Sequence, residues 1–177
     1  MAKRKKINFE LIDRITGAEP YAVLDKMRTF HLELQEASIA IAWRKRLTPD
    51  KDNRLVLGKC VKASDLQREL AEYDFIILLN QEVWEDSEFT GEKRMALMDH
   101  ELCHAAASYD DDGVIKEDER GRPVWRTRRH DIEEFEEIIA RHGCYKKDLE
   151  RFAEIIAKKR KAPLFDKEDH TEVRVVQ

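Results

Sequence analysis

The sequence lacks several features that would each have named a class. None of its apolar runs approaches the ~20 residues needed to cross a membrane, so no membrane-spanning helix is expected. The basic start, Lys3-Arg4-Lys5-Lys6, is not followed by the apolar segment of a secretory signal, so no signal peptide is expected. It reads as a solvated patch rather than a nucleic-acid arm. The only cysteines are Cys60, Cys103 and Cys144. Their odd number and wide spacing fit a reducing compartment better than a disulfide framework, hence an expected cytoplasmic location. There is no excess of positive charge: the net charge is −4, which argues against direct binding to nucleic acid. Internal repeats and low-complexity blocks are absent as well.

What is present is a charged chain with enough apolar content for a compact core. Of its 177 residues, 40% are charged and 42% hydrophobic. The length fits one domain with extensions. The expected division is a basic N-terminal extension over 1–19, a folded domain over 20–160 and a polar tail over 161–177.

The most specific pattern is His100-Glu101-Leu102-Cys103-His104, an H-E-x-x-H motif. On a helix, histidines four apart project from one face and can share a metal ion, and the adjacent glutamate can act as general base on a metal-activated water. That chemistry belongs to zinc-dependent hydrolases, above all peptidases. The surrounding residues predict a helix from Gly91 to Tyr109: good helix formers without proline, Thr90 as N-cap, and Glu92 in the first turn. Met95, Met98, Leu102, Ala105 and Tyr109 form its apolar stripe, and Asp110 to Gly113 end it. Cys103, an x position, is expected to be a core residue turned away from the metal.

A zinc site needs a third protein ligand. The segment His130-Asp131-Ile132-Glu133-Glu134-Phe135 opens a predicted amphipathic helix with Ile132, Phe135, Ile138 and Ile139 on one face and Gly143 as its stop. His130 is the first candidate ligand and Glu134 the alternative; Asp131 or Glu133 could orient a ligand imidazole. His31 and His170 are expected to be solvated, and His142 to favour a helix C-terminus for structural reasons. Tyr109, Arg128 and His142 are the candidates for a second oxyanion donor.

Elsewhere, residues 20–36 predict a helix with Pro20 at its start and Val23, Leu24, Met27, Phe30 and Leu34 at helical spacing. Strands are expected at Ile39–Trp43, around Leu55–Leu57 and at Phe75–Leu79, with a loop over Thr48–Asn53 and a short helix or crossover from Ser64 to Glu72. Val114–Lys116 and Pro123–Arg126 suggest a β-hairpin, and residues 146–160 a last helix with Leu149, Phe152, Ala153 and Ile156 on one face. The fold class is therefore α+β: a small domain with a twisted sheet of three to five strands packed on the H-E-x-x-H helix, followed by C-terminal helices. A sheet edge beside the cleft could take up an extended peptide by strand addition.

Taken together, Ile41-Ala42-Trp43-Arg44, Leu57-Gly58-Lys59-Cys60, Tyr73 to Asn80, Asp99 to His104 and His130 to Phe135 resemble the phage metallopeptidase family of bacteriophages and prophages. The resemblance covers roughly residues 35–145. More distantly, His-Glu-Leu-Cys-His is similar to the metal helix of SprT-like zinc proteases. It implies a zincin-type fold in a bacterial host cell, Zn²⁺ at His100 and His104, Glu101 as catalytic base, and His130 as third ligand. The stretch from His104 to His130 is longer than the usual SprT-like spacing and contains the hairpin. The expected activity is hydrolysis of peptide bonds in a protein or peptide substrate. The alternative is a catalytically silent zincin scaffold that binds a host or DNA-associated protein partner, with the tail segment Ala162-Pro163-Leu164-Phe165-Asp166 as a possible docking peptide.

Overall fold

The computed structural model describes residues 8–16, 18–45, 49, 51 and 54–161. The basic patch at Lys3–Lys6, most of the Thr48–Asn53 loop, His170 and the Ala162–Asp166 segment lie outside the described residues. The chain divides into two units, Met1–Arg129 and His130–Gln177.

In the first unit, strand β1 (Asn8–Leu11), helix α1 (Ala18–Arg28), a 3₁₀ turn (Leu32–Leu34), strands β2 (Ile39–Lys45) and β3 (Gly58–Lys62), helix α2 (Asp65–Ala71) and strand β4 (Phe75–Asn80) come first. Helices α3 (Gln81–Trp84) and α4 (Gly91–Cys103) and strands β5 (Ala105–Ala107) and β6 (Trp125–Thr127) follow. The main sheet has the order β1-β2-β4-β3. β2 and β4 are parallel, and β1 and β3 pair antiparallel at the two edges. Central position explains composition: Ile39 to Ala42 of β2 are all buried, and Phe75, Ile77 and Leu79 of β4 point into the core. α1 packs on α4, and Leu24 and Met27 share one cluster with Met98 and Leu102 and with Ile39, Ile41, Phe75, Ile77 and Leu79. Each such buried aliphatic side chain contributes about 1.5–3 kcal/mol.

Several sequence expectations shift. The helix expected over 20–36 ends at Arg28; Leu34 belongs to the 3₁₀ turn, and Phe30 is exposed. The Arg28 guanidinium donates to the carbonyls of Leu34, Gln35 and Ala37, which fixes the reversal. Leu55–Leu57 is not a strand; the pairing begins at Gly58. Residues 8–11, placed by sequence within an N-terminal extension, supply β1. The crossover from Ser64 is a helix with a full capping box, Ser64 to Gln67.

The largest shift is at the end of α4. Thr90 caps it as expected, its hydroxyl accepting from Lys93 N–H. The helix stops at Cys103 rather than Tyr109, with His104 as C-cap. Ala105–Ala107 are good helix formers, but they pair antiparallel with Trp125–Thr127 instead. Trp125 explains the override: it is buried and packs edge-on against Phe75, with ring centroids 5.8 Å apart. The hairpin expected between Val114 and Arg126 forms around Asp118 to Arg122, and its outer strand pairs with β5.

The second unit contains helices α5 (Glu136–His142) and α6 (Lys147–Lys161). α5 begins six residues later than expected from His130. Phe135 is its N-cap and is 71% exposed rather than part of an apolar face. Gly143, at φ 68°, ends it as expected. The Glu134 carboxylate accepts from Phe135 N–H and Tyr145 Oη–H and pairs with the Lys146 ammonium.

Candidate metal centre

α4 and the strand that follows it position the motif. His100 is exposed and His104 half-buried; their rings meet edge to face with centroids 5.0 Å apart. Each offers a ligand nitrogen within 4.8 Å of the other, a spacing from which both could reach one metal ion. The β5–β6 ladder continues one step past its last strand pair. Arg128 N–H donates to His104 O at 2.8 Å, and His104 Nδ1 lies 2.7 Å from the Arg128 carbonyl. A carbonyl only accepts, so Nδ1 carries a proton and Nε2 is the ring nitrogen that could ligate a metal. This is the arrangement by which an outer hydrogen bond sets the tautomer of a metal-binding histidine.

Glu101 faces the opposite way from solvent. It is 3% exposed, against strand β3. Leu57 O and Ala63 N bond towards β4, so the alternation of an antiparallel ladder turns the backbone groups of Gly58, Cys60 and Lys62 to the outer edge. Cys60 N–H donates to the Glu101 carboxylate. Burial raises the Glu101 pKa above its ordinary value, opposed by the Cys60 N–H and the nearby His104. The Cys60 thiol, buried and beside that carboxylate, is pushed up to about 12 and stays protonated. Gly58 makes room for the arrangement: a Cβ there would stand 2.5 Å from Glu101 Oε1. No signal in the sequence marked Gly58 as part of the site.

A cleft of 480 Å³ opens beside His100 and Glu101, walled by Val56, Leu57, Gly58, Phe89, Lys93, Ala96 and Leu97. Its walls are mainly apolar. The motif's buried carboxylate, its imidazole and an edge strand thus share one opening.

Two residues depart from expectation. Cys103 is exposed rather than in the core, because α4 buries Met98, Glu101 and Leu102 instead. His31 is buried rather than solvated, with Nε2 2.7 Å from Asp99 Oδ1. Of the other candidates, His130 is the exposed first residue of the second unit. Glu134 is engaged within that unit: Lys146, Tyr145 and the Phe135 N–H hold its pKa down at about 2. Tyr109 is exposed and bridges Ile115, and His142 ends α5.

Fold and motif together define a small α+β protein whose central helix presents paired imidazoles and a buried carboxylate. Residues 19–157 match the profile of the family described as Putative phage metallopeptidase, and the chain belongs to that family. A metal ion and protein or peptide substrates follow from that membership. None of the curated proteins and none of the solved structures matches the chain significantly. No helix among the described residues is long and apolar enough to cross a membrane.

Proposed function

We propose that the protein is a zinc-dependent peptidase that cleaves extended peptides next to an apolar side chain, with His100, His104 and His130 as metal ligands and Glu101 as general base. The observation that carries this reading is the placement of Glu101: a buried carboxylate, its pKa raised, at the mouth of an apolar cleft beside two imidazoles. The donors fit zinc, since His104 has its Nδ1 proton fixed on Arg128 O and presents Nε2. Zinc bound there supplies Lewis acidity, polarising the scissile carbonyl and lowering the pKa of water towards about 7.

The chain's own residues do the rest. Arg128 is tied to His104 through both backbone groups, and His130 follows two residues later. At ~3.3–3.6 Å per residue, about 7 Å of chain separates the two Cα atoms, which supports His130 as the third ligand. Glu134 is the weaker choice because its oxygens already serve Phe135, Tyr145 and Lys146. Glu101, with its pKa shifted towards neutrality, accepts the proton of the attacking water and passes it to the leaving amine. The outer edge of β3 offers its remaining backbone groups at Gly58 and Lys62 to a substrate strand. Val56, Leu57, Phe89 and Leu97 then receive an apolar side chain of that strand.

Metal analysis of His130→Ala and Glu134→Ala variants tests the ligand set. His130→Ala is expected to bind one zinc ion fewer per chain than wild type and Glu134→Ala to keep the wild-type content. A zinc content unchanged in His130→Ala and lowered by one ion in Glu134→Ala would transfer the ligand role to Glu134, and wild-type zinc content left unchanged by His100→Ala with His104→Ala would overturn the proposal.

A further inference from the structure

The residues that departed most from sequence expectation, His31 and Cys103, meet at one place. His31 precedes the 3₁₀ turn and makes no capping bond with its side chain. Its ring, 8% exposed, reaches across to α4, where Nε2 stands 2.7 Å from Asp99 Oδ1. Asp99 and Cys103 are four apart on α4 and so share a face, as His100 and His104 do one position later. An imidazole nitrogen, a carboxylate oxygen and a thiol sulfur therefore converge, all within 4.8 Å of one another. Donors around a tetrahedral zinc stand roughly 3.3–3.8 Å apart, given bond lengths of about 2.0–2.3 Å. Asp99 is half-exposed and Cys103 exposed, so both can turn the remaining distance. A cavity of 320 Å³ lies against His31 and Cys103 and leaves room for a fourth ligand.

We propose that His31, Asp99 and Cys103 form a second transition-metal site, separate from the H-E-x-x-H pair and on the neighbouring face of α4. The donor set selects its ion. A thiolate and an imidazole with one carboxylate suit Zn²⁺, Co²⁺ or Cd²⁺ and not Ca²⁺ or Mg²⁺. The site ties the turn after α1 to the last turn of α4. Its occupancy stabilises the helix end on which His100 and His104 stand. A hydrogen-bonded His31–Asp99 pair alone would hold the same elements without needing the thiol, and Cys103 is what separates the two readings.

Co²⁺ titration of the full chain carrying H100A and H104A provides the test, because the motif pair is then gone. A thiolate-to-cobalt charge-transfer band in the near ultraviolet is expected, saturating at a single ion per chain. Adding C103S should abolish the band and weaken Co²⁺ binding by at least about 100-fold, the upper end of what loss of an outer metal partner costs. D99N should weaken binding while keeping the band. If the double variant does not fold, the same comparison is made between wild type and C103S, where cobalt stoichiometry should fall by a single ion as the band disappears. Absence of the band, or a band and stoichiometry unchanged by C103S, would overturn the proposal. Either failure leaves the peptidase reading standing, since it rests on other residues.

Discussion

The two sides of helix α4 carry neighbouring residues of one motif and treat them oppositely. On one side Met98, Glu101 and Leu102 are buried, and the Glu101 carboxylate is held against the outer edge of β3 by Cys60 N–H. On the other, His100 and Cys103 are exposed and His104 is half-buried, its Nδ1 on the Arg128 carbonyl. The difference separates two demands of metal-assisted chemistry. In the proposed function the base is fixed and partly desolvated so that its pKa rises, whereas the proposed ligands stay accessible to metal and substrate.

The buried side is the more sensitive to small changes. Gly58→Ala places a methyl group where Glu101 Oε1 now stands, at 2.5 Å. Either the carboxylate turns away or β3 shifts. Activity is expected to fall by about 10–100-fold and stability by about 1–3 kcal/mol, the usual cost of overpacking. Parallel turnover and thermal-unfolding measurements check both, and wild-type turnover would show that Glu101 is not confined as described.

A charge in the hairpin turn gives the small-effect contrast. Asp118 accepts from the backbone N–H groups of Arg122 and Arg120 and from the Arg122 side chain, which lowers its pKa from 3.8 to about 2. A carboxylate depressed in the folded state stabilises above its unfolded pKa, and that contribution is lost as pH falls from about 3.8 to about 2. The Asp118–Arg122 turn should therefore loosen in that window while the core persists, seen as changes in the Arg120 and Arg122 amide signals. Asp118→Asn should loosen the turn at neutral pH and leave turnover unchanged.

The same contrast explains what could be read from the sequence. The buried side of α4 follows a local period, so Met95, Met98 and Leu102 and the Thr90 cap were legible. Its end was not, because Ala105–Ala107 favour a helix locally and are claimed by β6, about twenty residues away. His31 looked solvated for a similar reason: its partner Asp99 lies 68 residues on. Cys103 was misplaced because periodicity gives a stripe but not its exact width, and Glu101 occupies the position next to Leu102 that an apolar residue would normally take. Gly58 stood within the Leu57-Gly58-Lys59-Cys60 stretch of the family resemblance but with no role attached, since its role exists only once β3 lies against α4. In the second unit, Gly143 marked a helix end correctly, while the start of α5 was displaced because Glu134 is bound by Tyr145 and Lys146 outside any helix.

Glu101→Gln tests the central assignment most directly. The amide is nearly isosteric and cannot take up a proton, so the variant should fold, keep the wild-type zinc content and lose turnover of a degenerate apolar peptide library by about a hundredfold to ten-thousandfold. A Glu101→Gln protein that retains zinc and cleaves at the wild-type rate would contradict the role given to this carboxylate.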